Sequence, residues 1–197
     1  MKNVLHIISS ARGSKSYSQG LSSAIVKKLT DKRLVNTIVE RNLATDFPPF
    51  IDQALIEVFY KNQGTMSNDD HLLLRYADTI LSEIKNADFI VIGTPVHNLG
   101  ISAPLKAWVD QLIRFGVTYG YNSDGRRTGY LDGKKVFLAI ASGGRVSDTD
   151  GGSDYTEPYL KSVFNAYTGI NDFSTYRIEG TVSPDFRENY EEILKNL

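Results

Sequence analysis

The chain has 197 residues, enough for one domain with a substantial core, and a net charge of −1, which indicates neither nucleic acid nor an anionic membrane surface as a partner. It contains no cysteine, so disulfides, thiol nucleophiles and cysteine-rich metal sites are excluded. No segment approaches the roughly 20 apolar residues of a membrane span, and the apolar stretch in the opening MKNVLHIISSARG is too short for a signal region, so a cytoplasmic protein is expected.

Short apolar runs alternate with longer amphipathic ones. Val4 to Ile8 reads as a buried first strand. Ser18 to Leu29 follows with Leu21, Ala24, Ile25 and Leu29 at helical spacing. Val35 to Val39 is a weaker strand, and Ser67 to Lys85 a long helix opening on a capping stretch, Ser67-Asn68-Asp69-Asp70. Phe89 to Gly93 is the clearest buried strand of the chain. A helix from Ala103 to Phe115 comes next, with Ser102 as its cap and Pro104 in the first turn. Val136 to Ile140 is a fourth strand, Thr156 to Tyr167 a helix that stops before Gly169, Asp172 to Ile178 an edge strand, and Asp185 to Leu197 a last helix. This order predicts one α/β domain over 1–197. Its fold would be a five-stranded parallel sheet in the doubly wound order 2-1-3-4-5, with helices on both faces.

Ligands of such sheets sit beyond the carboxyl ends of the strands, and three loops of unusual composition leave those ends. The first runs from Ser9 to Ser18 and contains Ser10, Ser16, Tyr17 and Ser18, with Arg12 and Lys15 beside them. A hydroxyl-rich loop entering a helix can cradle a phosphate. It is neither a Walker loop nor a GxGxxG turn, so it reads as a mononucleotide-phosphate site or as an ordinary capped, Ser-rich turn. The second loop, Thr94 to Ser102, carries Pro95, Val96, His97, Asn98 and Leu99, a mixture suited to a flat ring with polar edges. His97 reads either as a ring-edge donor or proton relay, or as a plain loop histidine. The third, Ala141 to Arg145, holds Ser142, Gly143 and Gly144, whose backbone can approach a ligand closely or simply form a flexible turn.

Other chemistries fit poorly. Ser147 to Asp154 resembles a calcium loop only superficially, because Gly152 and Tyr159 fall where ligands are needed, and it reads as a solvated loop. No GxSxG elbow is present. The three histidines are scattered, with His6 in a strand and His71 in a helix, so both read as structural and no metal site is expected.

At these loops the chain resembles the FMN-dependent NADH-azoreductases of the flavodoxin-like quinone reductase superfamily. The similarity covers KNVLHIISSARGSKSYSQGLS, LDGKKVFLAIASGG and TEPYLKSVFNAYTGI, and is most specific in ADFIVIGTPVHNLGISAPLKAWVDQLIRFGVTYGY. It implies an FMN enzyme that takes electrons from NADH or NADPH and reduces a small-molecule quinone or azo acceptor, two electrons at a time in ping-pong fashion, as a homodimer. It also implies that Ser10 and Ser16-Tyr17-Ser18 hold the phosphate. Pro95 to Leu99 would line the isoalloxazine, with Asn98 on its polar edge, and Ser142-Gly143-Gly144 would contact the pyrimidine side. His97, the one tentative catalytic residue, stands where that family commonly has tyrosine, and Ala141-Ser142-Gly143-Gly144 replaces its usual S-R-G-G. Substrate preference is what these departures bear on. The rival readings are a flavodoxin-like electron carrier and a flavin-binding regulator without turnover. The nearly neutral charge argues against a carrier that docks by charge.

Overall fold

The structure, a computed structural model, describes residues 1–145 and 154–197. The expected solvated loop at Ser147 to Asp154 lies, but for Asp154, outside the described residues. The main sheet has five parallel strands in the order β2-β1-β3-β6-β7: β1 (Lys2–Ile8), β2 (Val35–Asn42), β3 (Phe89–Pro95), β6 (Lys135–Ala141) and β7 (Asp172–Ile178). This is the doubly wound order expected from the sequence, with β6 and β7 as its fourth and fifth strands.

Both faces of the sheet are covered, and the strands alternate between them. Leu5, Ile7, Ile90, Ile92, Val136 and Leu138 pack on α3 (Asn68–Asn86), α4 (Ala103–Leu112) and α5 (Thr156–Thr168). Val4, Val91, Phe137 and Ala139 turn the other way, onto α1 (Tyr17–Asp31) and Leu194. Burial on both faces explains why these strands read as near-continuous apolar runs. Helix α3 starts in a full capping box: Ser67 Oγ accepts from the Asp70 amide at 3.2 Å, and Asp70 accepts from the Ser67 amide at 2.8 Å. A hydrogen bond from Lys61, with those from Ser67, holds the Asp70 carboxyl down at about 2.

The structure corrects two helix ends. Helix α4 stops at Leu112 rather than Phe115, because Ile113 is extended and Thr118 Oγ1 takes the Arg114 amide at 2.9 Å, closing a turn. The last helix is a single turn, α6 (Tyr190–Ile193), rather than Asp185 to Leu197. Phe186 is instead packed edge-on against Tyr17 with ring centroids 5.0 Å apart, and Asn189 caps the short turn. Two features had no sequence-based expectation: α2 (Gln53–Phe59), capped by Asp52, and a hairpin of β4 (Tyr119–Tyr121) with β5 (Arg127–Gly129).

His6 is buried in β1, with its Nε2 2.8 Å from Ser22 Oγ and its Nδ1 3.5 Å from a Glu40 carboxylate oxygen. Burial pulls its pKa below the ordinary 6.5, outweighing the opposing pull of Glu40. The unfolded chain therefore takes up this proton first, and stability that is complete above about pH 6.5 declines as pH falls below it. Thermal melts between about pH 7 and pH 5 should show a falling midpoint in the wild type and a shallower fall in His6→Gln. Equal slopes would remove His6 as the cause.

Candidate active site

Because β1, β3 and β6 are adjacent, their three exit loops meet at one end of the sheet. Hydrogen bonds tie them together. The Ser9 amide donates to Gly93 O at 3.0 Å, Ser102 Oγ donates to Ser9 O at 3.3 Å, and the Val96 amide donates to Ala141 O at 2.8 Å.

The first loop enters α1 through Ser16, whose Oγ accepts from the Gln19 amide at 3.2 Å while its carbonyl takes the Gly20 amide at 2.9 Å. At any helix start the first amides lack intrahelical acceptors, so those of Tyr17 and Ser18 remain for a ligand, at the positive end of the helix dipole. Ser10, Ser16 and Ser18 are buried, and the Ser16 and Ser18 hydroxyls lie 3.2 Å apart. Buried hydroxyls gathered at a helix start form an anion cradle. Beside them Gln19 Oε1 is buried without a hydrogen-bond partner, which calls for a polar ligand group. Arg12 lies over the Tyr17 ring at 5.5 Å, and both line a cavity of about 410 Å³ together with Lys15 and Glu188.

Helix α1 seats closely on β3. A Cβ at Gly93 would stand 2.5 Å from Ser22 Oγ and 2.9 Å from Ser18 O, so only glycine allows this approach. The contact also settles the one Ser-His-carboxylate alignment noted in the fold, Ser22-His6-Glu40. Ser22 is fully buried between α1 and Gly93, with no room for a substrate carbonyl, so the alignment is not a hydrolytic triad.

In the second loop His97 and Gly100 exchange backbone bonds of 2.8 and 2.9 Å around a tight turn. Its two central residues, Asn98 and Leu99, have φ of 49° and 66°. Two successive left-handed non-glycine residues are costly, and such strain concentrates at ligand sites. Pro95 and Val96 are half-buried at the strand end; His97, Asn98 and Leu99 are exposed. The Leu99 carbonyl accepts from the Tyr155 amide at 2.6 Å, bringing an exposed tyrosine beside the second loop.

The third loop divides its glycines. A Cβ at Gly143 would meet Val182 Cγ1 at 3.1 Å, so that face is occupied by protein, whereas Gly144 looks onto open space. Ser142 Oγ donates to Gly144 O at 2.7 Å. The turn after β7 brackets this loop: the Thr181 amide donates to Ser142 O at 3.2 Å and the Gly180 amide to Gly144 O at 3.1 Å. Thr181 and Val182 escaped sequence reasoning, although their place beyond the carboxyl end of β7 was the available signal. Among the described residues no cluster of His, Asp and Glu has the makings of a metal site, and no helix is long and apolar enough to cross a membrane.

The sheet has the doubly wound order β2-β1-β3-β6-β7, and a family model described as having the flavodoxin-like fold matches residues 2–197. The chain belongs to the flavodoxin-like fold family. Among curated relatives, a Rhizobium etli protein named FMN-dependent NADH:quinone oxidoreductase 2 is 36% identical over 183 residues, covering 92% of this chain and 88% of its own. An FMN-dependent NADH:quinone oxidoreductase of Aromatoleum aromaticum is 34% identical over 178 residues, covering 90% and 87%. Among solved structures, an azoreductase from Bacillus anthracis superposes with a TM-score of 0.84 at 27% identity over 99% of this chain and 94% of its own. An FMN-dependent NADH-azoreductase of the same species, in complex with FMN, gives 0.80 at 28% identity over 100% and 93%.

Proposed function

We propose that this protein is an FMN-dependent NAD(P)H oxidoreductase that reduces quinones and azo compounds. The observation that carries the reading is the buried hydroxyl cradle at the start of α1, set beside two further loops at the same sheet edge. The donor set fits FMN. Ser10, Ser16, Ser18 and the first amides of α1 suit a terminal phosphate, and Gln19 Oε1, buried without a partner, suits a donor hydroxyl of the neighbouring chain. No dinucleotide fingerprint is present. When bound, FMN supplies two-electron transfer between a nicotinamide and the acceptor.

The protein's own part is positioning. Tyr17 flanks the phosphate cradle, while Pro95, Val96 and Leu99 form an apolar wall for the ring. Asn98, held by its left-handed turn, offers an amide to the ring's polar edge, and Ser142, Gly143 and the open Gly144 backbone flank the other side. Residues 1–197 act as a single FMN-binding domain. Among the described residues nothing favours the electron-carrier or regulator reading.

The working unit is a homodimer in the cytoplasm. Leu99 and Tyr155 are exposed large apolar side chains at this end of the molecule, Phe47 and Phe50 are exposed on the segment after β2, and a second copy would cover them. The aromatic stretches Phe115 to Tyr121 and Tyr155 to Tyr167 are candidates for the second subunit's cover over the flavin, the alternative being core within one subunit; a fully active monomer at micromolar concentration would refute the homodimer. Purified protein should carry releasable FMN, and anaerobic NADH should bleach its visible absorbance, with reoxidation by a quinone. Released FAD, or a flavin that NADH leaves oxidised, would overturn the assignment.

His97 is exposed at the mouth of the second loop. An imidazole there can stack on an acceptor and donate a hydrogen bond or a proton; a phenyl ring can only stack. His97→Phe should retain FMN and slow the oxidative half-reaction more than the reductive one, by at most about 100-fold because water can substitute. Stopped-flow measurement of each half-reaction checks this, and unchanged rates from about pH 5 to 9 would make His97 a bystander.

A further inference from the structure

The first turn of α1, where the phosphate cradle lies, is packed by the far end of the chain. After β7 the chain clasps the third loop, with the Thr181 amide donating to Ser142 O at 3.2 Å and the Val182 amide to Gly143 O at 3.3 Å. It then reaches the first loop, where Phe186 meets the Tyr17 ring and Tyr190 lies against Gly20 and the Tyr17 carbonyl. We propose, resting on the FMN reading, that Tyr190 is a positioning residue for the cofactor phosphate: it holds the first turn of α1 through Gly20, so that the turn's free amides converge on the phosphate.

The fit between the ring and the helix is close. A Cβ at Gly20 would stand 2.0 Å from Tyr190 Oη, 2.7 Å from Cζ and 3.1 Å from Cε2, so the tyrosine fills the space that a side chain at position 20 would take. Glycine weakens a helix interior, and here it makes room for the ring. The Tyr190 hydroxyl has one proton to give. Burial, and the hydrogen bond to the Glu188 carboxylate, push its pKa well above the ordinary phenol value, so it stays a neutral donor. The carboxylate is the stronger acceptor, and the Tyr17 carbonyl, at 3.5 Å, is a packing neighbour. Glu188 therefore anchors the ring, and the ring gives α1 its shape.

The segment that carries Tyr190 is itself fixed to α1. Leu194 is buried in one cluster with Leu21, Ile25 and Leu29, and the Lys28 and Lys32 ammonium groups donate to the Leu194 and Leu197 carbonyls. The first turn needs such support, because the amides of Tyr17 and Ser18 have no intrahelical acceptor to hold them. Tyr190 also shares the wall of the cavity of about 410 Å³ beside the cradle with Glu188, Tyr17 and Arg12. Tyr17 carries Arg12 over its ring and takes Phe186 edge-on, so the orientation of this cation too depends on the C-terminal segment. Donors that must meet at one point lose affinity when their support shifts by a fraction of an ångström.

Riboflavin, which has the ring but no phosphate, separates positioning from general loss of structure. Equilibrium dialysis of the full chain against FMN and against riboflavin gives the preference for the phosphate. Tyr190→Ala should lower that preference about tenfold and leave riboflavin affinity within about twofold of wild type. Tyr190→Phe keeps the ring and should stay within about threefold. Gly20→Ala should act like Tyr190→Ala although alanine strengthens a helix, because the methyl group drives the end of the ring away. In a Tyr190→Ala background the same change should add less than about twofold, since no ring is left to displace. The ³¹P resonance of bound FMN should move toward its free position in Tyr190→Ala and hold in Tyr190→Phe. Equal losses of FMN and riboflavin affinity would make Tyr190 merely structural and overturn the proposal, as would a Gly20→Ala effect that persists in full without the ring. A preference that survives Tyr190→Ala overturns this proposal alone; a wild type with no preference for FMN overturns the phosphate cradle with it.

Discussion

Gly93→Ala is expected to strip FMN from a protein that still folds. The new methyl would stand 2.5 Å from Ser22 Oγ and 2.9 Å from the Ser18 carbonyl. The first contact is with a hydroxymethyl group that can rotate; the second is with backbone and cannot be relieved that way. Helix α1 must therefore move off β3, and its first turn, Tyr17 to Gln19, moves with it. Overpacking of this kind costs about 1–3 kcal/mol of stability, which a domain of this size tolerates. The cradle is less forgiving, because a phosphate site depends on several donors converging on one point. FMN affinity should fall at least about tenfold, equivalent to about 1.4 kcal/mol. Equilibrium dialysis of FMN beside a thermal melt separates the two effects. The double variant Gly93→Ala/Ser22→Ala removes the side-chain clash and leaves the backbone one, so it should recover only part of the affinity. Full recovery would show that Ser22 alone was in the way; unchanged FMN binding in the single variant would refute the placement of the phosphate at α1.

The sheet was legible because parallel strands are buried on both faces. Phe89 to Gly93 and Val136 to Ile140 have no polar interruption, and the structure finds them at the centre, extended by one or two residues at their ends. Helix α3 was legible through its cap, Ser67 with Asp70. The three loops were legible by position, since anything leaving the carboxyl end of a central strand faces the ligand crevice. What stayed hidden depends on partners distant in sequence. Helix α2 is seven residues long and buries only Leu55 and Val58, too few to establish a period. Tyr190, Leu194 and Leu197 have helical spacing, yet Phe186 is drawn to Tyr17, more than 160 residues away in the chain, and most of the segment is not helical. The bracket that Gly180 and Thr181 place on the third loop is likewise made between segments adjacent only because β6 pairs with β7.

The β4–β5 hairpin was equally hidden, and its fragility is the basis of the second large effect. Gly129→Ala should destabilise the fold more than Gly93→Ala while leaving the FMN cradle intact. A Cβ at Gly129 would stand 2.1 Å from both the Gly169 amide nitrogen and the Thr168 carbonyl carbon, and 2.6 Å from the Thr168 oxygen. All of these atoms are backbone, so no rotamer relieves the contact. Gly169 cannot yield easily either, since it ends α5 in the left-handed conformation with φ of 81°. The hairpin must lift away instead. Lifting strains the bond from the Leu131 amide to Thr168 O, now 2.7 Å, and begins to expose Leu131, which belongs to the larger core cluster. It also separates Arg127 from the Tyr167 ring, 4.1 Å apart in the native fold. Together these place the loss at about 3 kcal/mol, the upper part of the overpacking range, or a melting midpoint lower by about 6–12 °C for a chain of this length. FMN affinity measured well below that midpoint should fall less than in Gly93→Ala, because no residue of the phosphate cradle belongs to the hairpin or to the end of α5. A midpoint within about 2 °C of wild type would mean that the hairpin does not rest on the end of α5 as described.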